Sequence, residues 1–155
     1  MNERSASRCL LYADLAGRVR LAEKLGDAEA GYAVERCLNR MSRSAEAFSA
    51  TALELRAEVL VARFGDADLA LQAARDMRER VRALPPMRGI KLVLRAGVVL
   101  ESEAAGADGV EVLAQRLVEA CNPDTITVSD TLSDVLSSSM RRLLGRAEAP
   151  PVASA

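Results

Sequence analysis

Residues 10–21 read LLYADLAGRVRL. Together with Cys9 the stretch opens as a short continuous apolar run, CLLYAD, of the kind that forms a buried strand. It ends in Asp14, a pair of apolar residues and Gly17. An acid at the exit of an apolar strand either holds a ligand or ends the strand in water. The rest of the chain has to supply the partners that would decide between the two.

After Gly17, VRLAEKLG reads as a brief helix closed by Gly26, and Asp27 is placed to cap the next one. In that second helix Val34, Cys37, Leu38, Met41, Ala45 and Phe48 recur at helical spacing with charged residues on the other faces. The period then changes. Residues 52–64, ALELRAEVLVARF, read as two short strands reversing near Arg56–Glu58, without the Gly, Asn or Pro usual in a tight hairpin. Gly65 and Asp66 open a helix that buries Ala70, Ala74, Met77, Val81 and Leu84 and stops at Pro85-Pro86. Residues 90–100 make a strand with Gly97 near a bend, and ESEAAGADG is a loop. A helix with Val110, Leu113, Ala114, Leu117 and Cys121 on one face precedes the strand TITV at 125–128, and Ser129 or Asp130 caps a last short helix.

The predicted order is β-α-α-β-β-α-β-α-β-α, without internal repeats. It points to an α+β, ferredoxin-like sandwich: a mixed, mostly antiparallel sheet with helices packed on one side. At 155 residues, one domain over 1–145 with a disordered tail over 146–155 accounts for the chain. Three separated cysteines fit a reduced, cytoplasmic protein, and the absence of histidine removes the commonest general base and metal ligand. No run approaches a membrane span, and neither a net charge of −1 nor the few aromatics favour nucleic acid. The arginines at 75, 78, 80 and 82 read as a solvated helix face, and Cys37 and Cys121 as core.

Four segments, in this order and spacing, carry a resemblance that runs from Cys9 to Ser138. They are LLYADLAGRVRLAEKLGD, the hairpin followed by ARFGDADLALQAARDM, LVLRAG, and VEVLAQRLVEACNPDTITVSDTL. The chain resembles the class III adenylate and guanylate cyclase catalytic (cyclase homology) domains. That resemblance implies two divalent metals, Mg²⁺ or Mn²⁺, held by one acid at the first strand and one in the hairpin turn. It also implies an Asn and an Arg, given across a head-to-tail dimer, that position the ribose and stabilise the transition state.

Carried over residue by residue, the resemblance assigns metal ligation to Asp14 and Glu58 and the phosphate-loop glycine to Gly17. It gives the purine-selecting position to Glu54, an acid that favours guanine, and the transition-state arginine to Arg116. Departures accompany these matches. Glu58 stands where the family has Asp, displacing the carboxylate by about 1.5 Å, a shift that octahedral Mg²⁺ accommodates poorly. Ala57 replaces a glycine, Arg18 and Val19 replace small or hydroxyl residues, and the loop after residue 100 is short. Val112 replaces the Asn, and loss of one preorganised donor typically costs about 10²–10³ in rate.

The expectation is therefore a degenerate cyclase homology domain. It would act without catalysis and without a cofactor, as a homodimer or as a heterodimer with a true cyclase, with a purine nucleotide as candidate ligand. Two alternatives stand beside it: a slow Mn²⁺-dependent cyclase using Asp14 and Glu58, and a ferredoxin-like module for another ligand.

Overall fold

The structure, a computed structural model, describes residues 7–104 and 109–144. The expected tail over 146–155 and part of the 101–109 loop lie outside the described residues. The chain runs β1 (Cys9–Ala16), α1 (Arg18–Leu25), α2 (Asp27–Ala47), β2 (Ala52–Arg56), β3 (Val59–Phe64), α3 (Ala67–Arg82) and β4 (Val93–Leu100). A 3-10 turn at Glu101–Glu103 follows, then α4 (Gly109–Glu119), β5 (Thr125–Val128), α5 (Asp130–Val135) and α6 (Ser138–Leu143). The strands form one mixed sheet in the order β2-β3-β1-β4-β5, antiparallel except for the β4–β5 pair. The α+β sandwich expected from the sequence is thus the observed architecture.

The expected placement of helices on one side is corrected by the packing. Alternate residues of β1 point to opposite faces. Cys9, Leu11, Ala13 and Leu15 join the main core, which includes residues of α1, α2, α3, α5 and α6. Leu10 belongs to a second cluster with Val61, Val99, Val110 and Ala114, so α4 covers the other face. Strands buried on both faces read as near-continuous apolar runs, which explains CLLYADLA and VLRAGVVL, each broken by one charged residue.

Gly97 was expected near a bend, but it lies within β4, opposite Tyr12 on one side and Thr127 on the other. Its role is clearance. A Cβ there would stand 2.8 Å from the carbonyl oxygen of Ala114 and 2.9 Å from Leu117 Cβ, so the missing side chain lets α4 lie directly on the sheet.

Capping follows the sequence in part. Asp66 accepts from the Asp68 amide at 2.8 Å, and Ser129 accepts from Leu132. Asp27, expected as a cap, is instead the first residue of α2, behind Gly26. On α3, Arg78 is only 5% exposed, which corrects the solvated-face reading at that position. It shares a helical stripe with Ala74 and Val81, while Arg80 pairs with Asp76 and Arg82 with Glu79 and Asp124. Cys37 is buried as expected. Cys121 lies beyond the end of α4, half-buried, with its thiol 3.0 Å from Thr127 Oγ1.

Two glycine substitutions separate clearance from propensity. Gly97→Ala should lose about 1–3 kcal/mol in urea unfolding, because the added methyl overpacks the α4 contact. Gly31→Ala, in α2 with nothing within 4 Å of a new Cβ, should gain up to about 1 kcal/mol.

Candidate functional site

Asp14 does not sit at the strand exit. β1 continues to Ala16, and Asp14 pairs in register with Arg95 of β4 on the sheet face that α4 only partly covers. Residues directly opposite across an antiparallel pair bring their side chains together. Arg95 Nε donates to Asp14 Oδ1 at 2.8 Å and Nη2 to Oδ2 at 2.7 Å, a two-pronged fork that occupies both carboxylate oxygens. Asp14 is 6% exposed. Its charge is tolerated inside the sheet because Arg95 neutralises it there, and the strand therefore need not end at the acid. The same bond to Asp14 strengthens the proton hold of Arg95 against the opposing effect of burial.

Glu58 follows Ala57 in the two-residue turn between β2 and β3, since Arg56 pairs with Val59. Ala57 adopts φ +51°, the left-handed region that costs a residue with a Cβ about 1–2 kcal/mol. The turn thus holds a residue with a side chain in the conformation that favours glycine. Glu58 is half exposed, and Arg18 Nε lies 2.6 Å from its Oε2. Arg18 is the first residue of α1, and its Nη1 donates to the Leu15 carbonyl at 2.9 Å and lies 3.6 Å from Asp14 Oδ2. The structure therefore brings Asp14 and Glu58 to one place, bridged by Arg18. It adds Arg95, which the sequence reading missed. The available signal was an arginine in the otherwise apolar VLRAGVVL, two residues before Gly97.

These residues do not fit a divalent metal pair as they stand. The two carboxylates supply two negative charges and the two guanidiniums two positive ones, so the cluster is neutral before any ion arrives. A divalent cation would have to compete with the Arg95 fork for both oxygens of Asp14, and would meet the charge of Arg18 beside Glu58. Among the described residues no group of three or more His, Cys, Asp or Glu is arranged to hold a metal ion.

The other expected residues are dispersed. Gly17 caps α1 at φ +99°, and a Cβ there would come 3.1 Å from the Lys91 carbonyl, so its geometry already requires glycine for packing. Glu54, on exposed edge strand β2, is 2.7 Å from Arg56, whose other arm reaches Glu111 on α4 at 2.6 Å. Arg116 is exposed on α4, and Val112 lies one turn before it. Beside Glu58 a groove of about 710 Å³ opens between α2 and the hairpin, walled by Arg18, Glu35, Asn39 and Leu55.

No family model matches the chain, and no curated protein matches it in sequence. Solved structures do match in fold. The adenylyl cyclase CyaB from P. aeruginosa superposes with a TM-score of 0.65 at 19% identity, over 83% of this chain and 79% of that one. The guanylate cyclase domain of RhGC from Catenaria anguillulae, solved with GTP, gives 0.70 at 14% identity over 84% and 82%. The non-canonical dimeric guanylyl cyclase domain of the RhoGC fusion protein from Blastocladiella emersonii gives 0.69 at 13% identity over 83% and 82%; a monomeric form of that domain matches equally well. The chain has the fold of the adenylyl and guanylyl cyclase catalytic domains. No helix among the described residues is long and apolar enough to cross a membrane.

The two arginines should differ sharply in what they stabilise. Arg95→Met leaves Asp14 charged and nearly buried, and should cost about 2–4 kcal/mol in denaturant unfolding at neutral pH. Arg18→Met, removing a partly exposed pair, should cost less than about 1 kcal/mol.

Proposed function

We propose that this chain is a cyclase-fold domain that works without catalysis, as a pairing and regulatory module in cyclic-nucleotide signalling. The observation that carries the reading is the commitment of both acids at the metal-ligand positions to guanidinium groups of the same chain. Three replacements point the same way: Glu for Asp at 58, Val at 112 in place of an amide donor, and Arg at 18 beside the phosphate-loop glycine. Each leaves the fold intact and removes part of what cyclisation needs.

The activity of such a module lies in association, with a second copy of itself or with a catalytically complete cyclase domain to which it offers Arg116. Nucleotide contact is secondary in this reading. Glu54, the purine-selecting position, is already paired with Arg56, so a purine edge competes with an existing ion pair.

The experiment is a cyclase assay with Mn²⁺ and either ATP or GTP, on the wild type and Asp14→Ala in parallel. The expected result is no cyclic product above the Asp14→Ala background with either nucleotide. Metal-dependent turnover that Asp14→Ala abolishes, while the fold survives by circular dichroism, would overturn the reading in favour of a slow cyclase. Light scattering after size exclusion at tens of micromolar separates the two modes of association. A monomer there rules out the stable homodimer and leaves pairing with a true cyclase, to be read by mixing the two.

A further inference from the structure

A second concavity shares no lining residue with the Glu58 groove. It is an apolar cleft enclosing about 80 Å³ between α2 and the segment that joins α3 to β4. Ala33 and Cys37 of α2 form one wall, Ile90 and Leu92 the other, and Arg36 and Pro85 stand among the residues around it. We propose that this cleft binds a short aliphatic monocarboxylate, its chain among Ala33, Cys37, Ile90 and Leu92 and its carboxylate on Arg36.

The cleft persists because its far wall is braced from within. Met87 and Ile90 exchange backbone hydrogen bonds at 3.0 and 2.9 Å around a turn in which Arg88 and Gly89 both take positive φ. Lys91 Nζ donates to the carbonyls of Arg82 and Leu84, tying the segment to the end of α3. Across from this wall α2 presents alanine at position 33, too small to fill the gap. A preformed cleft spares a ligand much of the ordering cost of binding.

Its electrostatics select the ligand head group. Arg36 is exposed, and its guanidinium makes no hydrogen bond or ion pair with the described residues, unlike Arg18, Arg56, Arg80, Arg82 and Arg95. Burial pushes the Cys37 thiol up to about 11, while the charges of Arg36 and Lys91 act in the opposite direction. The thiol is thus neutral at physiological pH, an apolar floor lying in the positive field of two cations. One free guanidinium fork matches one carboxylate. The volume matches a narrow chain: an apolar cavity of about 150 Å³ takes benzene, so this smaller one takes a few methylenes with the head group outside.

The test is a titration of the full chain, labelled with ¹³C at its methionine methyls, with hexanoate, hexanol and hexylamine. Met87 lines the cleft and reports on it, while Met41, Met77 and Met140 are not among its lining residues and serve as controls. The expected result is a saturable Met87 shift with hexanoate, roughly fivefold weaker with hexanol, as one exposed charge pair allows, and weaker still with hexylamine. Arg36→Gln should make hexanoate and hexanol equal, and Ala33→Leu should abolish the Met87 response to both. Equal responses to acid and alcohol in the wild type, or no Met87 response up to the solubility limit, would overturn the proposal. So would a Met87 shift produced by raising the protein concentration alone, since a second copy would then occupy the cleft. Arg36→Gln, at an exposed position, keeps the test decisive should Ala33→Leu fail to fold.

Discussion

A carboxylate set two residues inside the central strand of a sheet has to be neutralised from within the protein. Asp14 lies in β1, paired with β4 and only 6% exposed, so water compensates little of its charge. Leaving an ion of that kind unmatched costs several kcal/mol. The fork from Arg95 removes that cost and also pins the register of β1 against β4. A slip of one residue would turn Arg95 into the main core and bring Leu94 or Ala96 opposite the acid. The register in turn places Gly97 under α4, the clearance on which the second layer of helix depends.

The same pair is central to the proposed loss of metal-dependent chemistry. In the cyclase arrangement that the sequence resembles, two acids offer their charge to two divalent cations that come and go with nucleotide. Here the cations are covalent parts of the chain, supplied by Arg18 and Arg95. A guanidinium neutralises a carboxylate as an ion does, but it cannot polarise a phosphate oxygen as a Lewis acid or activate a hydroxyl. In the reading proposed above, these arginines keep the architecture neutral without ligand and stand in the way of the metal-dependent reaction.

Much of this was legible in the sequence. The order of elements up to the last strand, the reversal near Arg56–Glu58 and the helix starts at Asp66 and at Ser129 or Asp130 followed from local patterns of period, whereas the final short helix is in fact two, α5 and α6. The convergence of Asp14 and Glu58 followed from the resemblance. What could not be read were facts of tertiary placement. An arginine at 95 looks the same in sequence whether it faces solvent or a carboxylate, and only the pairing of β1 with β4, 81 residues apart, decides it. Helix periodicity likewise shows that α4 has an apolar stripe but not which face of the sheet receives it. Gly97 was read as a bend because a glycine in a strand has two explanations, and the helix above it selects the second. Arg78 lies inside because the apolar stripe of α3 is wider than its neighbours Arg75, Arg80 and Arg82 suggested.

Edge strand β2 has a consequence of its own. It carries the unpaired backbone groups at the rim of the sheet, and an unguarded rim is where chains add strand to strand into open-ended fibres. Glu54 and Arg56 stand there exposed, bonded to each other, with Arg56 also anchored to Glu111 on α4. A strand added there would have to desolvate these charges, which is how charged side chains guard an edge. The charges on β2 therefore act against edge-to-edge pairing between copies at the border of the sheet.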